Sequence, residues 1–164
     1  LAANPCPCGL AGTPGAHCKC APAAVRRYAE RVSGPVFDRI DIHQHLRPLR
    51  RAFLKQAAAL AEPSAAVAGR VLEARRRQRR RLAEFGLQVN AEVSGAVLRK
   101  KLPLPEGVEI LEKAAALGQL SARGVDKTLR IAWSVGDLAG AERPAREHLE
   151  TALAMRRGEE RDER

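Results

Sequence analysis

The sequence predicts an α-rich fold of the α+β class, a helical domain attached to the end of a sheet domain. Three observations carry that expectation. Apolar residues at helical spacing, bracketed by Ser, Pro and Gly, fill most of the chain beyond residue 63. One run, Ile40-Asp41-Ile42-His43-Gln44-His45-Leu46, alternates apolar with polar residues as a half-buried strand does. All four cysteines lie between Cys6 and Cys20 as two Cys-x-Cys pairs, a density that asks for something small to hold.

In chain order, Leu1-Ala2-Ala3-Asn4 reads as the last residues of a strand that begins upstream, so the chain is expected to start inside a domain. The cysteine segment follows as a Gly- and Pro-rich loop. Pro22 suits a first helical turn, Val25, Tyr28, Ala29 and Val32 recur at helical spacing, and Gly34-Pro35 ends that helix. After the strand at Ile40–Leu46, closed by Pro48, a long helix is expected from Pro63 to about Phe85. It would carry Val67, Val71, Ala74, Gln78, Leu82 and Phe85 on one stripe, with arginines elsewhere and Gly86 as its stop. Ser94 caps a helix through Lys101, Pro105-Glu106 opens one ending near Gly118, Ser121 caps one to about Leu138, and Pro144 opens a last one to Arg157. The expected organisation is residues 1–48 as the end of the sheet domain with the cysteine loop, 49–157 as the helical part, and 158–164 as a frayed charged tail.

The chain has 164 residues and a formal charge of +10, with basic residues concentrated in Arg70 to Arg81, a balance that favours polyanions and nucleic acid first. One Trp, one Tyr and three Phe leave almost no stacking platforms for single strands. No apolar run is long enough to cross a membrane, and the first residues lack the features of a signal peptide, so a cytoplasmic protein without membrane attachment is expected.

Cys6, Cys8, Cys18 and Cys20 offer the four thiolates that structural Zn2+ prefers, although Cys-x-Cys is not the usual Cys-x2-Cys spacing. Two disulfides or four unpaired thiols are the competing readings, and His17 is a substitute donor or a bystander. Arg39, between Asp38 and Asp41, reads either as half of a structural ion pair or as an always-charged fork offered to a phosphate bound by a neighbouring subunit. Arg123 falls in the first turn of a helix, where it opposes the helix dipole; an anionic partner at that helix start would explain it. His43 and His45 lack companion ligands and read as a solvated face, as do Arg75-Arg76-Arg77 and Arg79-Arg80-Arg81. No Gly-x4-Gly-Lys-Ser/Thr loop is present to cradle a nucleotide's phosphates.

Asn-Pro-Cys-Pro-Cys-Gly at 4–9, Cys-x-Cys at 18–20, Arg-Tyr at 27–28, Ser-Gly-Pro-x-x-Asp-Arg-Ile-Asp at 33–41, Val-Ser-Gly at 93–95, Leu-Ser-Ala-Arg at 120–123 and Asp-Leu-Ala-Gly at 137–140 together resemble the C-terminal half of the YifB/ComM proteins. These are magnesium-chelatase-like AAA+ ATPases. The resemblance implies the end of an AAA+ α/β core with a zinc-binding insert, followed by a helical lid. It implies Asn4 as the sensor that polarises the attacking water, Arg39 as the arginine finger and Arg123 as the second sensor, with Asn4 and Arg123 also contacting nucleotide. It further implies Mg-ATP as the cofactor of the full-length protein, a homo-oligomeric ring, typically a hexamer, and DNA as the partner. This sequence departs from the family in lacking the Walker A and Walker B segments, so that it is expected to be inactive alone. It also has Ala21 where relatives have a capping Thr, and Gly124-Val125-Asp126 in place of a more aromatic, His-containing stretch. The alternative is a stand-alone, non-enzymatic, zinc-clamped helical module that binds DNA through Arg70 to Arg81.

Overall fold

The computed structural model describes residues 1–46 and 61–159. Its elements are α1 (Pro22–Ala29), α2 (Gly34–Arg39), α3 (Ser64–Leu82), α4 (Gly95–Lys100), α5 (Glu109–Ala116), α6 (Ala122–Ala139) and α7 (Arg146–Arg157), with 3-10 turns at Ala83–Phe85 and Asn90–Glu92. The α-rich expectation holds, and no strand occurs among the described residues.

The caps explain most of the helix boundaries. Ser94 Oγ accepts the Val97 N–H at 3.3 Å and Ser121 Oγ accepts the Gly124 N–H at 3.0 Å, which starts α4 and α6 where their serines predict. His148 Nδ1, in the first turn of α7, reaches back to accept the Ala145 N–H at 3.0 Å. Gly140, at φ 80°, supplies the left-handed residue that ends α6. Gly158 does the same for α7, so the first residues of the expected tail form a helix cap. The α5 helix begins at Glu109, later than its proline suggests, and Ala21 stands at the start of α1 without a side-chain cap.

Two expectations fail. Ile40–Leu46 is irregular rather than a strand, because no strand among the described residues offers it a hydrogen-bonding ladder. The His43 N–H instead donates to the Met155 carbonyl at the end of α7 (2.9 Å), while Ile42 and Leu46 are exposed. Gly34-Pro35 does not end α1, which stops at Ala29 with Glu30 as its cap; it opens α2, so Arg39 ends a short helix rather than preceding a strand. Pro48, expected to close the strand, lies outside the described residues.

The described residues fall into two compact units, Leu1–Ile40 with Leu46, and Asp41–His45 with residues 61–159. In the first, Cys6 is the one buried side chain among the described residues. The second is built around Leu82, Val93, Leu98, Leu111, Leu129, Trp133 and Leu149, with α6 packed chiefly against α7 and α3. The expected α3 stripe is buried only from Ala74 through Gln78 to Leu82; Val67 and Val71 remain exposed.

Asp137, fully buried near the end of α6, takes both arms of the Arg81 guanidinium, at 2.6 Å and 2.9 Å. Asn90 Nδ2 adds a third bond to the same carboxylate at 3.0 Å and donates to Ser134 Oγ at 3.0 Å, while Asn90 Oδ1 accepts from Arg81 at 2.9 Å. Arg77 donates to the Asp137 carbonyl at 3.0 Å, and the Arg81 guanidinium lies 4.1 Å from the centre of the Trp133 ring. The reading of these arginine runs as a solvated face is therefore corrected for Arg77 and Arg81: charge alone does not disclose a carboxylate more than fifty residues away.

Removing one partner leaves the other charge buried and unpaired. Asp137→Ala is expected to lower the unfolding free energy by about 3–5 kcal/mol, measured by urea denaturation followed through Trp133 fluorescence.

Candidate functional site

The cysteines converge because glycine turns reverse the chain between them. The Gly9 N–H closes a turn on the Cys6 carbonyl at 3.0 Å, with Gly9 at φ 77°, a left-handed conformation that other side chains resist. Cys6 Sγ lies 3.3 Å from Cys8 Sγ and 3.7 Å from Cys18 Sγ, and Cys8 and Cys18 are 3.6 Å apart. All four sulfurs, Cys20 included, fall within 4.8 Å of one another, and His17 stays outside the cluster. A tetrahedral ion with bonds of about 2.3 Å spaces its sulfurs about 3.8 Å apart, so the cluster fits such an ion.

The thiols differ in proton affinity. Burial raises Cys6, but the Ala11 N–H at 3.3 Å and the thiols of Cys8 and Cys18 outweigh it and hold Cys6 down at about 6. At Cys20 a backbone bond with Cys8 lowers the value. The Cys8 thiol, burial and the thiols of Cys18 and Cys6 overcome it and push Cys20 up to about 12. Cys18 is also raised: a backbone bond with Cys20 opposes the shift, and the Cys8 thiol, burial and the Cys6 thiol cause it. One sulfur is thus ready to bind a metal at neutral pH, and Cys18 and Cys20 must release protons to join it.

Asn4 is exposed and leans over the Gly9 turn, its Cγ 3.7 Å from where a Cβ at Gly9 would lie. Arg39, exposed at the end of α2, donates to the Pro35 carbonyl at 2.8 Å, one turn back on its own helix. Asp41 accepts from Lys127 Nζ at 2.6 Å. Arg123 is exposed on the first turn of α6, whose start Ser121 caps. Asn4, the cysteines and Arg39 belong to the first unit and Arg123 to the second. His43 Nε2 lies 3.1 Å from Arg156, and neither His43 nor His45 joins a metal-binding group among the described residues.

Several of the sequence motifs are structural. Ser94 caps α4, and Gly95 leaves room for the Asp126 carboxylate, which pairs with Arg99 and would collide with any Cβ at 95. In Asp-Leu-Ala-Gly, Asp137 forms the buried clamp and Gly140 ends the helix.

The family description "Magnesium chelatase, subunit ChlI C-terminal" matches residues 61–156, and "Magnesium chelatase, subunit ChlI" matches residues 1–54. The chain belongs to the magnesium-chelatase-like family. Its relatives in that family include an uncharacterised protein of Mycobacterium tuberculosis, 43% identical over 158 residues, 95% of this chain and 30% of the relative. YifB of Salmonella typhimurium is 33% identical over 156 residues, and the competence protein ComM of Haemophilus influenzae is 30% identical over 156. Each of these two alignments covers 94% of this chain, and the chain spans about 30% of the length of each relative. The YifB/ComM resemblance read from the motifs is therefore right.

Cobalt(II), which reports tetrahedral thiolate coordination in the visible spectrum, tests the cluster. One equivalent is expected to bind with release of protons, and binding should weaken as pH falls through about 6, where Cys6 also takes up its proton. Cys8→Ser should lose the thiolate charge-transfer intensity; an unchanged spectrum would show that the sulfurs do not act together.

Proposed function

We propose that the chain is the C-terminal part of an AAA+ ATPase of the YifB/ComM type that binds ATP between the subunits of a ring, typically a hexamer, and works on DNA in the cytoplasm. One observation carries this reading. The two family matches run in order along the chain, the first containing Asn4 and Arg39 and the second Arg123.

The residue chemistry supports the roles. The Asn4 side-chain amide can accept a hydrogen bond from a water and orient it toward a phosphorus atom. The Arg39 guanidinium is planar, always charged and exposed at a helix end, the form suited to donating to phosphate oxygens on a neighbouring subunit as charge moves onto them. Arg123 places a second cation at the start of α6, where its electrostatic conflict with the helix dipole is relieved by an anion. When bound, Mg-ATP supplies the phosphoryl group whose transfer drives the ring. The loop that cradles its phosphates is not in this chain.

We assign structural zinc to Cys6, Cys8, Cys18 and Cys20. Four thiol ligands close the coordination sphere and leave no position for substrate, so the metal's work there is to hold the segment between Asn4 and α1 in shape. DNA as the partner is supported by the charge of +10 and by the competence protein among the relatives.

In the full-length protein, Arg39→Ala is expected to reduce ATP turnover by roughly 10³-fold or more while ATP binding stays within a few-fold. Steady-state ATPase assays and nucleotide titration measure the two. Unchanged turnover would sink the finger assignment.

A further inference from the structure

The α3 helix divides its arginines between two tasks. Arg77 and Arg81 turn inward to the buried Asp137, and Arg70 is held by Glu62 in a two-armed pair at 2.6 Å and 2.7 Å. Arg75, Arg76, Arg79 and Arg80 are exposed. Among the described residues the side chain of Arg75 bonds only the neutral Gln78, at 2.9 Å, and Arg76 pairs with Glu73, the single acidic residue of α3. Arg79 and Arg80 have no ion pair among the described residues. With a turn every 3.6 residues, Arg76, Arg79 and Arg80 fall within about 100° of arc on the side away from the buried Gln78.

We propose that this outward face of α3 is a sequence-independent docking surface for the phosphate backbone of duplex DNA. It deepens the DNA part of the functional reading and does not depend on ATP hydrolysis. From Arg75 to Arg80 the helix rises about 7.5 Å, enough to follow consecutive phosphates spaced about 3.4 Å along the duplex axis per strand. No aromatic residue occurs in Ser64–Leu82, so the face has no platform on which a single strand could stack its bases. Ala74 and Leu82, behind these arginines, are already in the core, and the exposed apolar side chains of α3, Val67, Val71 and Leu72, all precede Arg75 and lie outside the Arg75–Arg80 segment. The partner that fits fixed positive charge without aromatic stacking platforms is a rigid polyanion, and vesicles of anionic phospholipid serve as the competing partner in the test.

The test is fluorescence anisotropy of a labelled random-sequence 30-base-pair duplex with the full chain, without nucleotide, across a salt series. Replacing Arg76, Arg79 and Arg80 together by Gln is expected to weaken binding about tenfold or more and to lower the slope of log affinity against log salt by about 2.7. Lys100→Gln, Lys101→Gln and Lys113→Gln combined remove the same charge elsewhere on the second unit and should leave the slope unchanged. Glu73→Gln, which frees Arg76, should tighten binding, and it serves as an independent readout if the triple arginine variant does not fold. Equal losses in the arginine and lysine variants, no duplex binding at low salt, unchanged or weaker binding by Glu73→Gln, or an arginine effect seen only with anionic phospholipid vesicles would each overturn the proposal. The assay contains no ATP, so a failed ATPase reading would leave its outcome interpretable.

Discussion

The second unit depends on a carboxylate that has no water to turn to. Asp137 is fully buried, and a buried charge is tolerated only when it is paired and its remaining lone pairs are bonded. Arg81 from α3 and Asn90 from the following turn meet that demand together, and Ser134 anchors the other hydrogen of the Asn90 amide. The constraint ties α3, the 3-10 turn and α6 at one point and sets the rotation of α3 about its axis. That rotation leaves Arg76, Arg79 and Arg80 facing outward.

The first unit lives under a different constraint. With Cys6 as its one buried side chain among the described residues, it has no apolar core in α1 or α2 to hold Asn4 and Arg39 in fixed positions. Small segments that cannot bury enough apolar surface gain their order from cross-links or metals. Four sulfurs within 4.8 Å supply a place for one. The glycine turns that bring them together are local, and so the cluster needs no help from distant chain.

The family assignment connects these units without making their residues equivalent. Three of the matched motifs do architectural work, capping helices, making room for Asp126 or clamping Asp137. Asn4, in irregular chain before the Cys6–Gly9 turn, Arg39, at the end of α2, and Arg123, in the first turn of α6, are all exposed.

The sequence by itself determined what short-range forces govern. Ser94 and Ser121 mark helix starts because their hydroxyls bond amides three residues on, Gly86 marks an end because it accepts positive φ, and the cysteine spacing marks a cluster. Tertiary structure alone decided what depends on remote partners. Ile40–Leu46 has strand periodicity but no ladder among the described residues, and its His43 N–H goes to Met155. Arg77 and Arg81 are indistinguishable from Arg76 and Arg80 in a run of like charges. Their roles separate only when folding brings Asp137 across 60 and 56 residues, because burial, not residue type, decides whether an arginine is a clamp or a surface charge.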